Sequence, residues 1–270
     1  MTPPLLSFIG VDFHPAGAAA TLSGLSFTLH QGEFFAVLGA DPAARTAVAL
    51  LAAGLARPVG GRIELFAPKG EPRPPVGIVF SSPGQGLFAA TAAEEIRIGL
   101  EWRGLDEVAA AARTEEILRR FGLWEERDRP PSTLSGGEKQ RLALAAAVAL
   151  EPLCLVLDDP TAMLDPAAAS LVRGAARAAA EEGRGVLWLT GEPDEVLYAD
   201  RIGILSDGRL GWTGPPSALF AGEAAFDSWG FPRPSLGRLR AALLRRGLPL
   251  AGRAATPAKL VEEICFAWKT

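Results

Sequence analysis

Residues 134–141, which read Leu-Ser-Gly-Gly-Glu-Lys-Gln-Arg, have a composition suited to holding an anion. Ser135 precedes two glycines, Gly136 and Gly137, and Glu138 begins a run of helix-forming residues. Glycine lets a ligand approach the backbone closely. The N-terminus of a helix presents unpaired N–H groups and a partial positive charge, which favour phosphate. The segment therefore predicts a phosphate contact rather than an ordinary serine cap.

Two adjacent carboxylates, Asp158 and Asp159, follow a short apolar run at residues 153–157. Such a run is typical of a strand buried on both faces of a parallel sheet. Mg²⁺ prefers oxygen ligands, and a carboxylate at the C-terminal end of such a strand can hold it through water. We therefore predict that Asp158 belongs to a Mg²⁺ site.

Residues 39–46 have the length of a phosphate-binding loop but not its full composition. That loop reads G-x-x-x-x-G-K-[ST] between a strand and a helix. Gly39 and Thr46 match its two ends, and the Thr46 hydroxyl can be offered to Mg²⁺. Ala44 replaces the second glycine and Arg45 replaces the lysine, whose point charge a planar guanidinium does not reproduce.

Two other residues of this phosphate loop oppose phosphate binding. Pro42 has no N–H to donate, and Asp41 places a negative charge beside the expected ligand. We expect Arg45 and Thr46, with Asp158, to hold Mg–ATP weakly, with charge-assisted hydrogen bonds from Arg45. A plain strand–turn–helix without phosphate binding is the alternative.

The signature segment, as we call residues 134–141, resembles the signature motif of ABC-type ATPases. In that family the motif lies across a dimer interface and contacts the γ-phosphate of ATP held by the other subunit. Residues 160–166, including Asp165, resemble the family's D-loop. The resemblance implies an α/β P-loop NTPase core with an antiparallel β subdomain and a helical subdomain, and ATP and Mg²⁺ as cofactors.

Three further positions depart from the family's catalytic pattern. The glutamate that acts on the attacking water is Asp159 here, with its carboxylate about 1.5 Å closer to the backbone. Gly191 stands at the position of the switch histidine, and Ser81 at that of the Q-loop glutamine. Because a misplaced general base typically costs about 10²–10⁴ in rate, we expect this chain's own site to be impaired.

The residue that stacks on adenine in the family should lie near position 14. Only Phe13 and His14 are available, and Pro15 follows them. Base stacking therefore stays unassigned, and a surface or core role for His14 is favoured over a catalytic one.

An intact signature segment beside an altered phosphate loop predicts an asymmetric pair of subunits. ABC ATPases form head-to-tail dimers in which each site joins one subunit's phosphate loop to the other's signature. This chain would supply its signature to a different partner with an intact loop, which predicts a heterodimer. A slow homodimeric ATPase is an alternative, since Asp159 is still a carboxylate, as is a soluble non-transport homologue.

Composition excludes several other classes of protein. The 270 residues carry a net charge of −4 without a basic block, which argues against nucleic acid as a partner. The two cysteines, Cys154 and Cys265, lie far apart, which favours a reducing compartment. No signal-peptide pattern and no apolar run of about 18 residues is present.

The order of predicted elements indicates a large α/β domain with a small appendage. Strands at 5–13, 25–29, 34–38, 62–65 and 76–80 surround a helix at 46–56, and two insert helices at 91–103 and 107–121 follow. Strands and helices then alternate to residue 212, which predicts a parallel sheet. We assign residues 1–220 to the ATP-binding domain, with a helical insert near 90–135, and residues 221–270 to a C-terminal helical extension.

The C-terminal extension indicates which subgroup of the ABC-type ATPases the chain resembles. Residues 236–250 predict a helix with a glycine stop, and residues 256–264 predict a second helix capped by Thr256. This arrangement resembles the cobalt-type and energy-coupling-factor importer ATPases; a generic helical hairpin is the alternative. The resemblance implies a transmembrane transporter subunit as partner and a peripheral position on the cytoplasmic face of the membrane. A separate membrane protein chooses the substrate in that group.

Overall fold

The computed structural model describes residues 2–14, 22–67, 74–82, 84–220, 226–250 and 257–267. Its strands are β1 (Pro4–Phe13), β2 (Leu22–His30), β3 (Phe34–Gly39), β4 (Gly60–Leu65), β5 (Val76–Val79), β6 (Cys154–Asp158), β7 (Gly185–Thr190), β8 (Arg201–Ser206) and β9 (Arg209–Gly214). Its helices are α1 (Pro42–Ala52), α2 (Ala92–Trp102), α3 (Glu107–Arg120), α4 (Gly136–Ala149), α5 (Pro166–Glu181), α6 (Pro216–Phe220), α7 (Ser235–Arg245) and α8 (Pro257–Ala267).

The larger sheet has six strands in the order β5-β6-β7-β3-β8-β9. The first five are parallel, as predicted, and β3, β6 and β7 are buried along their whole length. The prediction was wrong for the last strand, because β9 pairs antiparallel with β8. A two-residue turn at Asp207 and Gly208, both with positive φ, leaves no room for a crossover helix.

A smaller sheet of three antiparallel strands, in the order β2-β1-β4, confirms the predicted antiparallel β subdomain. Its inner face packs with α1 and one face of the larger sheet in a single core. Within it the rings of Phe8 and Phe27 stack at 4.5 Å, and Phe27 contacts Phe35 of β3 at 5.5 Å. This packing holds the small sheet beside the strand that leads into the phosphate loop.

Helix α1 begins and ends about four residues earlier in the chain than the sequence predicted. It spans Pro42–Ala52 instead of residues 46–56, because Asp41 caps it and Pro42 fits the first helical position. It ends before Gly54, whose φ is 70°. The second half of the phosphate loop is therefore helical.

The two insert helices, α2 and α3, are present as predicted and are capped by Thr91 and Asp106. They pack with α4 over the second face of the large sheet. Helices α7 and α8 contribute Leu236 and Leu260 to this same core. Thr256, the predicted cap of α8, lies outside the described residues. No helix in the described part of the chain is both long and apolar enough to span a bilayer.

Replacing Glu33 with glutamine should lower the free energy of unfolding by about 1–3 kcal/mol at neutral pH. Glu33 accepts hydrogen bonds from Arg201 Nε at 2.6 Å and from the His30 backbone at 2.9 Å. Burial raises its pKa, but these bonds outweigh burial and bring the pKa below its ordinary value of 4.5. Because the pKa of Glu33 is lower in the folded state than in the unfolded state, the ionised side chain stabilises the fold at pH values above its unfolded-state pKa. This stabilisation is lost as the pH falls through the folded-state pKa.

Urea unfolding at a series of pH values measures this effect. The two proteins should differ most near neutrality and converge well below pH 4.5. Glu64→Gln is the control, because the Arg62–Glu64 pair is exposed, and it should change stability by less than about 0.5 kcal/mol. A difference for Glu33→Gln that persists unchanged into acid would contradict the ion-pair explanation.

Candidate functional site

The carboxyl ends of three neighbouring strands bring the predicted site residues together. Strands β6, β7 and β3 lie side by side and parallel. The phosphate loop follows β3, Asp158 ends β6, Asp159 follows it, and Gly191 follows β7. Residues that are up to about 150 positions apart in the chain therefore meet at one edge of the sheet, as a parallel arrangement requires.

Thr46 and Asp158 form a pair that fits a divalent cation. The Thr46 hydroxyl donates to Asp158 Oδ2 at 2.6 Å. Asp158 is 1% exposed, and its Oδ1 atom is buried with no hydrogen-bond partner among the described residues. Burial raises the pKa of Asp158. A buried carboxylate oxygen without a partner, beside a threonine hydroxyl, is the donor set that Mg²⁺ prefers.

Ser81 lies close to this pair. It follows β5, the neighbour of β6, and its side chain lies near enough to Asp158 to lower the pKa of that carboxyl, in opposition to burial. Sequence reasoning missed Gln140, a buried polar residue of the signature segment whose Nε2 donates to the Phe80 carbonyl at 3.1 Å. Gln140 therefore links the signature helix α4 to the segment that carries Ser81. A glutamine among the buried positions of a helix was the only sequence signal for it.

Arg45 is buried inside its own phosphate loop. Only 5% of its side chain is exposed. Its guanidinium donates to the Gly39 carbonyl at the start of the loop and to the Asp159 carboxylate. The cation of the loop is therefore paired within the chain.

Both carboxylate oxygens of Asp159 have partners. Oδ2 accepts from Arg45, and Oδ1 accepts from the Gly191 N–H at 3.1 Å. The backbone of Asp159 has a φ of 45°, a left-handed conformation that aspartate tolerates better than most residues. This conformation, together with a backbone bond to Leu189, fixes the direction of the side chain.

Gly191 leaves room for the Arg45 guanidinium. A Cβ at this position would lie 3.2 Å from Arg45 Nη1 and 3.4 Å from Nη2, which is tighter than most real contacts. A histidine side chain would occupy the space that the guanidinium fills. Arg45, Asp159 and Gly191 looked like separate departures in the sequence, and the structure brings all three into contact.

Two backbone N–H groups of the phosphate loop also have partners within the loop. Asp41 Oδ1 accepts from the Ala43 N–H at 2.9 Å, and the Arg45 N–H bonds the Asp41 carbonyl at 3.2 Å. Ala44 is 4% exposed and packs into the core. A triphosphate in the loop would compete with Asp41 for the Ala43 N–H and with Asp159 for the Arg45 guanidinium.

The signature segment is exposed at its N-terminal end. Ser135 caps α4, and Glu138 completes a capping box by accepting from the Ser135 N–H at 2.7 Å. The backbone hydrogen bond from Ser135 lowers the pKa of Glu138. Ser135 and Gly136 face solvent, and a Cβ at Gly137 would be 3.5 Å from Leu164 of the D-loop. This part of the signature segment is therefore accessible from solvent.

Two other predicted positions have structural roles. Asp165 is the exposed cap of α5 and accepts from the Ala167 and Ala168 N–H groups, both at 2.9 Å. Phe13 is 9% exposed and packs in the β core, so it does not offer a free ring to a base. His14 is exposed, and residues 15–21 lie outside the described chain.

Comparison with known proteins identifies the family of the chain. Residues 22–162 match the family described as ABC transporter. The chain is 34% identical over 281 residues to an energy-coupling factor transporter ATP-binding protein, EcfA1, of Symbiobacterium thermophilum, with 98% of each chain covered. The corresponding protein of Lacticaseibacillus paracasei is 34% identical over 244 residues, with 88% of each covered.

A solved structure is similar over most of the chain. The structure of cbiO1 from Clostridium perfringens, part of the ABC transporter complex cbiONQ, is 27% identical, with a TM-score of 0.69. The match covers 88% of this chain and 99% of that one. The chain therefore belongs to the ABC transporter ATPase family and is similar to the energy-coupling factor transporter ATP-binding proteins and CbiO.

Proposed function

We propose that this chain is an ATP-binding subunit of an energy-coupling-factor or CbiO-type importer and supplies its signature segment to a second, different ATPase subunit. In this proposal the dimer has two ATP sites, and the site built on this chain's own phosphate loop is the degenerate one. The observation that carries the proposal is a contrast. Ser135 and Gly136 are exposed at a helix N-terminus, whereas Arg45 is buried and paired with Asp159.

The chain's own site is poorly arranged for hydrolysis. A general base needs a free carboxylate oxygen within reach of water, and both oxygens of Asp159 are bonded, to Arg45 and to the Gly191 N–H. Gly191 has no side chain that could receive a proton. These contacts favour the degenerate half over the slow homodimeric ATPase.

Part of the site still suits the metal of a nucleotide complex. Thr46 and Asp158 would hold Mg²⁺, which neutralises phosphate charge when bound. Gln140 would hold the segment that carries Ser81 beside this pair through its bond to the Phe80 carbonyl. Arg45 would contact a phosphate only in competition with Asp159. We infer that any Mg–ATP held by this chain is held weakly.

An exposed aromatic surface supports the proposed membrane partner. Phe88 and Trp102 are 67% and 80% exposed, and their rings stack at 6.4 Å. They border a groove of about 320 Å³ between β5, α2 and α4. Exposed apolar patches of this kind mark protein–protein contacts, and we propose this one for the transmembrane subunit. The chain would then lie peripherally on the cytoplasmic face of the membrane.

Co-purification with an ABC ATPase that is encoded beside this chain and has an intact phosphate loop tests the proposal. Light scattering should show an equimolar mixed dimer that forms with Mg–ATP, while this chain alone stays monomeric. A homodimer of this chain that forms with Mg–ATP and hydrolyses it would favour the slow homodimeric ATPase instead.

A further inference from the structure

We propose that the phosphate loop of this chain, residues 39–46, is closed by the chain's own carboxylates, so that Mg–ATP binds there tightly only when Arg45 is released from Asp159. The inference rests on the proposed function for the identity of the ligand. It goes further by attributing the weak binding of Mg–ATP to specific contacts within the chain, which substitutions can remove. The altered residues would then act together to keep Mg–ATP binding weak.

The first contact concerns the amides of the loop. A helix N-terminus attracts an anion because its N–H groups are unpaired and carry partial positive charge. Here the Asp41 carboxylate is that anion, since its Oδ1 accepts from the Ala43 N–H at 2.9 Å. A phosphate would have to displace this carboxylate and also meet its negative charge.

The chain uses the same Asp-Pro-Ala-Ala sequence at residues 41–44 and at residues 165–168. In both places the aspartate accepts from backbone N–H groups of the first helical turn, with proline at the first helical position. The loop therefore begins its helix with an ordinary capping arrangement, in which the Asp41 side chain occupies the Ala43 N–H.

The second contact concerns the loop's cation. The Arg45 side chain is 5% exposed and lies between the Gly39 carbonyl and the Asp159 carboxylate. A charge-assisted contact of this kind is among the stronger hydrogen bonds. A phosphate that approaches the loop therefore meets an arginine whose charge is already neutralised.

The third feature is the space that Gly191 leaves. A Cβ there would come within 3.2 Å of Arg45 Nη1, so any side chain at residue 191 would crowd the guanidinium and require it to shift. The Gly191 N–H also orients Asp159 toward Arg45 by bonding its other oxygen. The side chains of Arg45 and Asp159 and the absence of one at Gly191 are thus sterically compatible with one another.

Titration of the full-length chain with Mg–ATP tests this inference without any partner. Asp159→Asn should bind Mg–ATP about tenfold more tightly than the wild type, the size expected for one recovered charge-assisted contact. The double variant Asp159→Asn with Arg45→Ala should lose this gain. Glu33→Gln is the control, because it breaks another partly buried arginine–carboxylate pair at the opposite end of β3 and should leave binding unchanged.

Asp159→Gly is a second variant that protects the test against misfolding. Glycine suits the φ of 45° at this position and also removes the carboxylate, so it should give the same gain. The inference is wrong if folded Asp159→Asn and Asp159→Gly bind no better than the wild type, or if the gain survives Arg45→Ala. Either result would leave donation of the signature segment in trans untouched, because no partner is present in this experiment.

Discussion

The isolated chain should hydrolyse ATP at the background rate. Hydrolysis needs an oriented water, a base and preorganised charge around the γ-phosphate. Asp159 is engaged by Arg45, Gly191 offers no side chain, and Ser81 is shorter than the family's glutamine at that position. A sensitive phosphate-release assay with a purified active ABC ATPase as reference measures this. If the isolated chain turned over ATP in the ordinary enzymatic range of about 1–10³ s⁻¹, the proposal that its own site is degenerate would be wrong.

Restoring one residue should not restore turnover. Asp159→Glu puts back the family's carboxylate, but at a backbone φ of 45° that suits glutamate poorly. The longer side chain would still face Arg45, and the groups that position water would still be absent. If Asp159→Glu alone gave multiple turnovers, the loss of hydrolysis would be due to this residue alone and not to Arg45, Asp159 and Gly191 together.

Gly137→Asp should reduce ATP hydrolysis by the mixed dimer at least about 10²-fold, the loss typical of one oxyanion-type donor. In the proposed arrangement the signature segment meets the γ-phosphate on the partner. An aspartate there adds both bulk and a repelling charge. The fold should tolerate it, since a Cβ at Gly137 would be 3.5 Å from Leu164 and an acidic residue suits the first turn of a helix.

The matched control for this variant is Gly174→Asp. Gly174 is an exposed glycine of α5 where an added Cβ would meet nothing within 4 Å. It introduces the same charge into a helix away from the signature segment, and the mixed dimer should keep its hydrolysis rate. Equal loss from both variants would point to destabilisation and not to a missing phosphate contact.

The sequence was most informative where local pattern and function coincide. The apolar run before Asp158 indicated a strand buried in a parallel sheet, and β6 is that strand. The motif at residues 134–141 indicated a helix N-terminus, and Ser135 caps α4 there. In both places a single pattern determines the element and also positions the side chain.

The phosphate loop shows what sequence reasoning missed. Asp41 and Pro42 were interpreted as obstacles to phosphate, yet together they are a helix start, so α1 begins four residues before the prediction. The contacts among Arg45, Asp159 and Gly191 join residues that are distant in sequence. No local pattern carries such information, because it depends on strand order and on the space left by a missing Cβ.

The most direct test of the central claim compares two variants of this chain in the same mixed dimer. Ser135→Arg damages the exposed signature segment, whereas Asp159→Asn alters only this chain's own site. ATPase activity should fall to background with Ser135→Arg and stay near the wild-type rate with Asp159→Asn. Full activity with Ser135→Arg and none with Asp159→Asn would contradict the account and make this chain's own site the working one.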